Sequence, residues 1–67
     1  MKKYYVEMCC EMADGTCEHE WYSVSAENAT QAEEKVFDSI NEYYGSTNWW
    51  NVENIQEEPP VLVINID

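Results

Sequence analysis

Cys9, Cys17, His19 and Glu11 are the side chains of this sequence whose types could hold a metal ion. Two thiolates, an imidazole and a carboxylate would suit tetrahedral zinc, and all four share one face of a hairpin if Cys9 stands opposite His19. The C-x₂-C spacing of ordinary zinc sites is missing, however, and the adjacent Cys9 and Cys10 must point to opposite faces of a strand. The reading is therefore of small apolar thiols beside a surface histidine, with no metal and no cofactor. His19 also lacks the serine or cysteine partner of a nucleophilic triad. Gly15 and Gly45, the two glycines of the chain, are both claimed by turns, which leaves none for a phosphate-cradling loop. Neither Glu33-Glu34 nor Glu57-Glu58 marks a cleft, and neighbours on a helix diverge, so these are not acid–base pairs. The run of acidic positions that closes around calcium is missing too. The expected protein is not an enzyme.

What the chain holds in excess is carboxylate. Fourteen acidic residues face three lysines in 67 positions, for a net charge of −11, beyond the magnitude of roughly 2–8 that keeps a small domain soluble. Such a chain repels itself when compact, so the excess either costs stability or serves a cationic partner. Three lysines cannot offset that charge, which argues against direct binding of nucleic acid. The acids fall in two groups. On a helix predicted over Ala29–Tyr44, Glu34, Asp38 and Glu42 recur every four residues, about 6 Å apart along the axis, opposite the apolar stripe. Glu33 is read as a neighbour of that row, and Glu27 lies just before it. The second group, Glu7, Glu11, Asp14, Glu18 and Glu20, makes the tip of a hairpin an acidic blade, and Trp21 is set beside it as an aromatic anchor. Two such rows could stand in for duplex phosphates in the basic groove of a nucleic-acid-binding protein.

These groups need a scaffold. Val, Ile, Leu and Phe number only twelve, but five Tyr, three Trp, three Met and three Cys raise the apolar fraction to 45%, and disordered acidic chains are poor in aromatics. Alternation from Lys3 to Met12 puts Tyr4, Val6, Met8 and Cys10 on one side of a strand. Asp14-Gly15 then marks a turn. A three-residue loop pairs Val6 with Tyr22 and Tyr4 with Val24 in a second strand over Thr16–Ala26, gathering the apolar residues on one face. Asn28 with Gln31 forms a capping box. Ala32, Val36, Ile40, Tyr43 and Tyr44 line the buried side of the helix, and Gly45 ends it. A third strand is expected over Trp49–Ile55, one of Trp49 and Trp50 facing the core and the other solvent. Pro59-Pro60 precedes a final apolar strand over Val61–Ile66, which can pair within the chain or with a second copy in a homodimer. The sum is a single α+β domain in the order ββαββ: a small antiparallel sheet with one helix on one face. Its far face, which carries Tyr5 and Trp21, stays open unless a partner covers it.

The segment Tyr22–Val36, YSVSAENATQAEEKV, resembles the strand-to-capped-helix segment of many small phage and mobile-element proteins. With its size and charge, the whole chain resembles the small acidic anti-CRISPR and anti-restriction inhibitors that mimic DNA. That resemblance implies a phage-type inhibitor that binds a host Cas effector or restriction enzyme and blocks its DNA path. The alternative is an acidic interaction or oligomerisation module docking through its open sheet face. No run approaches the roughly 20 apolar residues of a membrane span. No apolar signal run follows Met1-Lys2-Lys3, and an odd cysteine count suits reduced thiols, so the expected location is the host bacterial cytosol.

Overall fold

The computed structural model describes residues 1–60 and 63–66. Strand β1 (Lys2–Glu11) and strand β2 (Cys17–Ala26) form an antiparallel hairpin, followed by helix α1 (Ala29–Tyr44), strand β3 (Trp50–Gln56) and a short β4 (Ile64–Asn65). The sheet order is β3-β1-β2-β4, which makes β1 a central strand. Both β2 and β3 run antiparallel to β1. The chain therefore leaves β2, crosses over β1 as α1, and returns as a strand parallel to the one it left.

The hairpin takes the three-residue loop. Val6 pairs with Tyr22 and Tyr4 with Val24, the Met12 amide donates to the Thr16 carbonyl at 2.7 Å, and Gly15 supplies φ +89°. Side-chain chemistry locks this turn. Asp14 Oδ1 accepts from the Thr16 amide at 3.0 Å and from Thr16 Oγ1 at 2.7 Å. These two bonds stabilise the carboxylate and hold the Asp14 carboxyl below the ordinary range.

The register gathers Tyr4, Val6, Met8, Tyr22, Val24 and Ala26 on one face, and Ala32, Val36 and Ile40 of α1 close over them. At its N-terminus α1 is capped by Asn28, whose side chain accepts from the Gln31 amide at 2.9 Å. Gln31 in turn accepts the amide of Glu27, one residue before the cap, at 2.7 Å. Gly45 ends the helix at φ +81°, donating to the Asn41 carbonyl. β3 starts one residue later than expected: Trp50 opens it and packs against the core, while Trp49, in the turn before it, is 64% exposed. A β-bulge between the Asn54 and Val52 pairs leaves Glu53 as an extra residue. The bulge lets Trp50, Val52 and Ile55 all reach the core side, a spacing that strict alternation forbids.

Three expectations need correction. Tyr43 and Tyr44, read as part of the buried stripe, are 80% and 56% exposed. The helix face of β2 runs Ala26, Val24, Tyr22 and then switches to Glu20 and Glu18, so the last turn of α1 has acids beneath it instead of a core. The last strand was expected to be buried and antiparallel over 61–66. Residues 61 and 62 lie outside the described residues; β4 pairs with β2 in parallel over two residues, and Ile64 is 46% exposed. Finally, the far face of the sheet is partly closed. Cys9 and Ser23 are buried there, and the chain returning from β3 brings Pro60 and Val63 alongside Glu7, His19 and Trp21. No helix among the described residues is long and apolar enough to cross a membrane.

Candidate functional site

The carboxylates occupy three places. Glu34, Asp38 and Glu42 stand exposed along the outer side of α1, and among the described residues no cation pairs with them. The lysines are engaged elsewhere: Lys2 pairs with Glu57 at 3.5 Å, and Lys35 donates to the Ser25 carbonyl at 2.6 Å. Like charges four residues apart cost a helix a few tenths of a kcal/mol per pair. Here two such pairs stand in series without relief. Glu33 is half-buried and lies on the flank of the apolar stripe near Phe37, not in the row, since it is offset by one residue from Glu34. Glu27 is exposed beside the cap.

At the hairpin, Glu11, Asp14 and Glu18 are exposed. Glu7 is half-buried on the far face, 3.7 Å from His19 Nδ1. Trp21, read as an exposed anchor, is half-buried on that same face, where it lines an open groove of about 730 Å³ with Pro60, Val63 and Ile64. Glu20 is half-buried on the opposite, helix-bearing face, and its Oε2 accepts the Tyr22 hydroxyl at 2.7 Å. Desolvation first, and then the hydrogen bond to Glu20 and its charge, push the Tyr22 hydroxyl far above its ordinary pKa, so it stays a proton donor.

Cys9 stands opposite His19, and Cys17 opposite Glu11, as the hairpin reading requires. The Cys9 and Cys17 side chains share a hydrogen bond, which with desolvation raises the Cys9 thiol to about 11. All three cysteines are free. Among the described residues no group of three or more His, Cys, Asp or Glu side chains is placed to hold a metal.

Sequence reasoning missed an aromatic cluster where α1 meets β3. The rings of Tyr43 and Tyr44 meet edge to face at 4.7 Å, and Tyr44 lies 5.5 Å from Trp50. Under this cluster opens a groove of about 420 Å³ lined by Glu20, Tyr22, Ser39, Tyr43, Tyr44, Ile64 and Ile66. The available signal was the alternation of β2, where acids replace apolar residues at Glu20 and Glu18 beneath a helix that is still aromatic. No family model, curated protein or solved structure matches the chain.

Proposed function

We propose that the protein is an acidic docking domain that occupies the nucleic-acid-binding surface of a basic partner, as a phage-type inhibitor of a Cas effector or restriction complex would. The observation that carries this reading is the exposed row of Glu34, Asp38 and Glu42 on a well-capped helix, with no cation paired to it among the described residues. A helix selected for stability alone would interleave lysines. Magnitude supports the reading as well. Eleven net charges along a body 37 Å long come to about one per 3–4 Å, the linear density of one strand of duplex DNA. The mechanism is electrostatic competition: steered association with a basic cleft and displacement of the nucleic acid held there.

The test is capture from a bacterial lysate at low and high salt, followed by competition on the purified captured protein. The expected partner binds DNA, loses it when this chain is added, and binds the chain less as salt rises. A partner whose binding survives the triple reversal Glu34→Lys, Asp38→Lys, Glu42→Lys overturns the reading. A second reading, an interaction module without mimicry, is favoured by the exposure of Tyr43 and Trp49. It expects binding that tolerates the charge reversals and salt but collapses when those rings are removed.

A further inference from the structure

The last turn of α1 holds an apolar-phase residue that is not buried. Tyr43 follows Ile40 by three residues and Val36 by seven, which places all three on one side of the helix. Ile40 is 2% exposed and Tyr43 is 80% exposed. The difference lies in what is underneath: Val24 and Met8 below the middle of the helix, and an open groove with the Glu20 carboxylate below its end.

The chemistry of that groove is specific. Tyr43 and Tyr44 present two ring systems inclined at 74°, and such faces are electron-rich. Glu20 supplies a carboxylate whose position is set by the Tyr22 hydroxyl, which occupies one of its acceptor sites and leaves others for a ligand. Ile64 and Ile66 form an apolar wall that lowers the local dielectric and strengthens charge attraction. Partial desolvation, and next the negative field of Glu20, raise the Tyr44 hydroxyl above its ordinary value, so its ring stays neutral beside that carboxylate. Lys2 and Lys35 are held at Glu57 and Ser25, away from this groove, and no lysine lines it.

We infer that the groove between the last turn of α1 and Glu20 is a binding site for a cationic side chain, specifically an arginine presented by a partner protein. A guanidinium satisfies both parts at once: its plane stacks on a tyrosine ring while its edge donates to a carboxylate. An ammonium is a compact, strongly hydrated point charge and gains less from the ring faces. The site does not depend on mimicry of nucleic acid. A partner with no nucleic-acid-binding role could use it, and mimicry through the helix row could operate without it.

The experiment titrates N-acetyl-arginine amide, and separately N-acetyl-lysine amide, into the full chain and follows side-chain and backbone NMR shifts. The expected result is saturable binding on the order of millimolar for arginine, with shifts concentrated at Tyr43, Tyr44 and Glu20 and weaker binding of lysine. Glu20→Gln keeps an acceptor for Tyr22 and is expected to weaken arginine about tenfold. Tyr43→Ser changes an exposed ring and is expected to weaken it several-fold. Glu53→Gln removes the same charge from the opposite sheet edge and is expected to leave the affinity within about twofold. Shifts spread evenly over the acidic surface, or equal losses in Glu20→Gln and Glu53→Gln, overturn the inference. The failure of the docking proposal under charge reversal would leave this titration unchanged, so the two stand or fall separately.

Discussion

The two ends of the same helix are built differently. Over its first three turns α1 closes Ala32, Val36 and Ile40 onto Val24, Met8 and Val6, each no more than 2% exposed. Over its last turn the helix keeps its aromatic side chains, but the strand below turns acidic and the rings stay in solvent. One end buries its apolar surface in the core, and the other leaves it in solvent. The contrast teaches that in a domain this small the closed end must supply most of the stability, which frees the open end to vary.

The largest effect tests that division directly. Met8→Ala removes a fully buried side chain and is expected to cost about 2–5 kcal/mol, a large part of the roughly 3–10 kcal/mol a chain of this size can have. Tyr43→Ala, at the open end, is expected to stay within about 0.5 kcal/mol. Urea unfolding followed by circular dichroism separates them. Similar losses for the two variants would erase the contrast.

A smaller effect of opposite sign concerns the outer side of the helix. Asp38→Lys converts two repulsive spacings, to Glu34 and to Glu42, into attractive ones. It is expected to raise stability by about 0.5–1 kcal/mol while weakening capture of a basic partner. Higher stability with unchanged capture would show that the row is only a solvated face. Added salt should act in the same direction as the substitution, raising the melting temperature of the unaltered chain through screening.

A last effect, confined to alkaline pH, lies on the far face of the sheet. The Cys9 thiol, ordinarily near 9.0, is raised to about 11 in the folded chain by its bond to Cys17 and by burial. The unfolded chain therefore loses this proton first as pH rises. The contribution is fully present below pH 9 and is lost between pH 9 and 11. Unfolding midpoints taken across that window should fall more steeply for the unaltered chain than for Cys9→Ala. Equal slopes would break the link. Thiol labelling should follow exposure, with Cys17 fastest and Cys9 slowest.

Much of the architecture was legible in the residues. The helix bounds followed from Asn28, Gln31 and Gly45, because caps are local chemistry. The hairpin register followed from Asp14-Gly15 and from the requirement that Tyr4, Val6, Tyr22 and Val24 share a face. The rest was decided by tertiary geometry. Periodicity places Tyr43 in the apolar stripe, but it cannot say that the sheet below has ended. Nothing in Asn51-Val52-Glu53-Asn54 announces a bulge, since the extra residue is defined only against β1. The placing of Pro60 and Val63 depends on where β4 finds an edge, which sets Trp21 in a groove instead of leaving it exposed. At the candidate site the acids were found and the aromatic cluster was not, because Tyr44 and Trp50 meet only after α1 has crossed the sheet.

The bulge at Glu53 has a consequence beyond register. β3 is an outer strand, and a flat outer strand offers its unused backbone groups to any passing chain. An unpaired acidic residue that bends this margin, between Val52 and Asn54, makes it a poor template for another β-strand. The opposite margin is partly occupied by β4. A domain that carries bare tyrosine and tryptophan rings thus has a margin poorly suited to stacking strand upon strand.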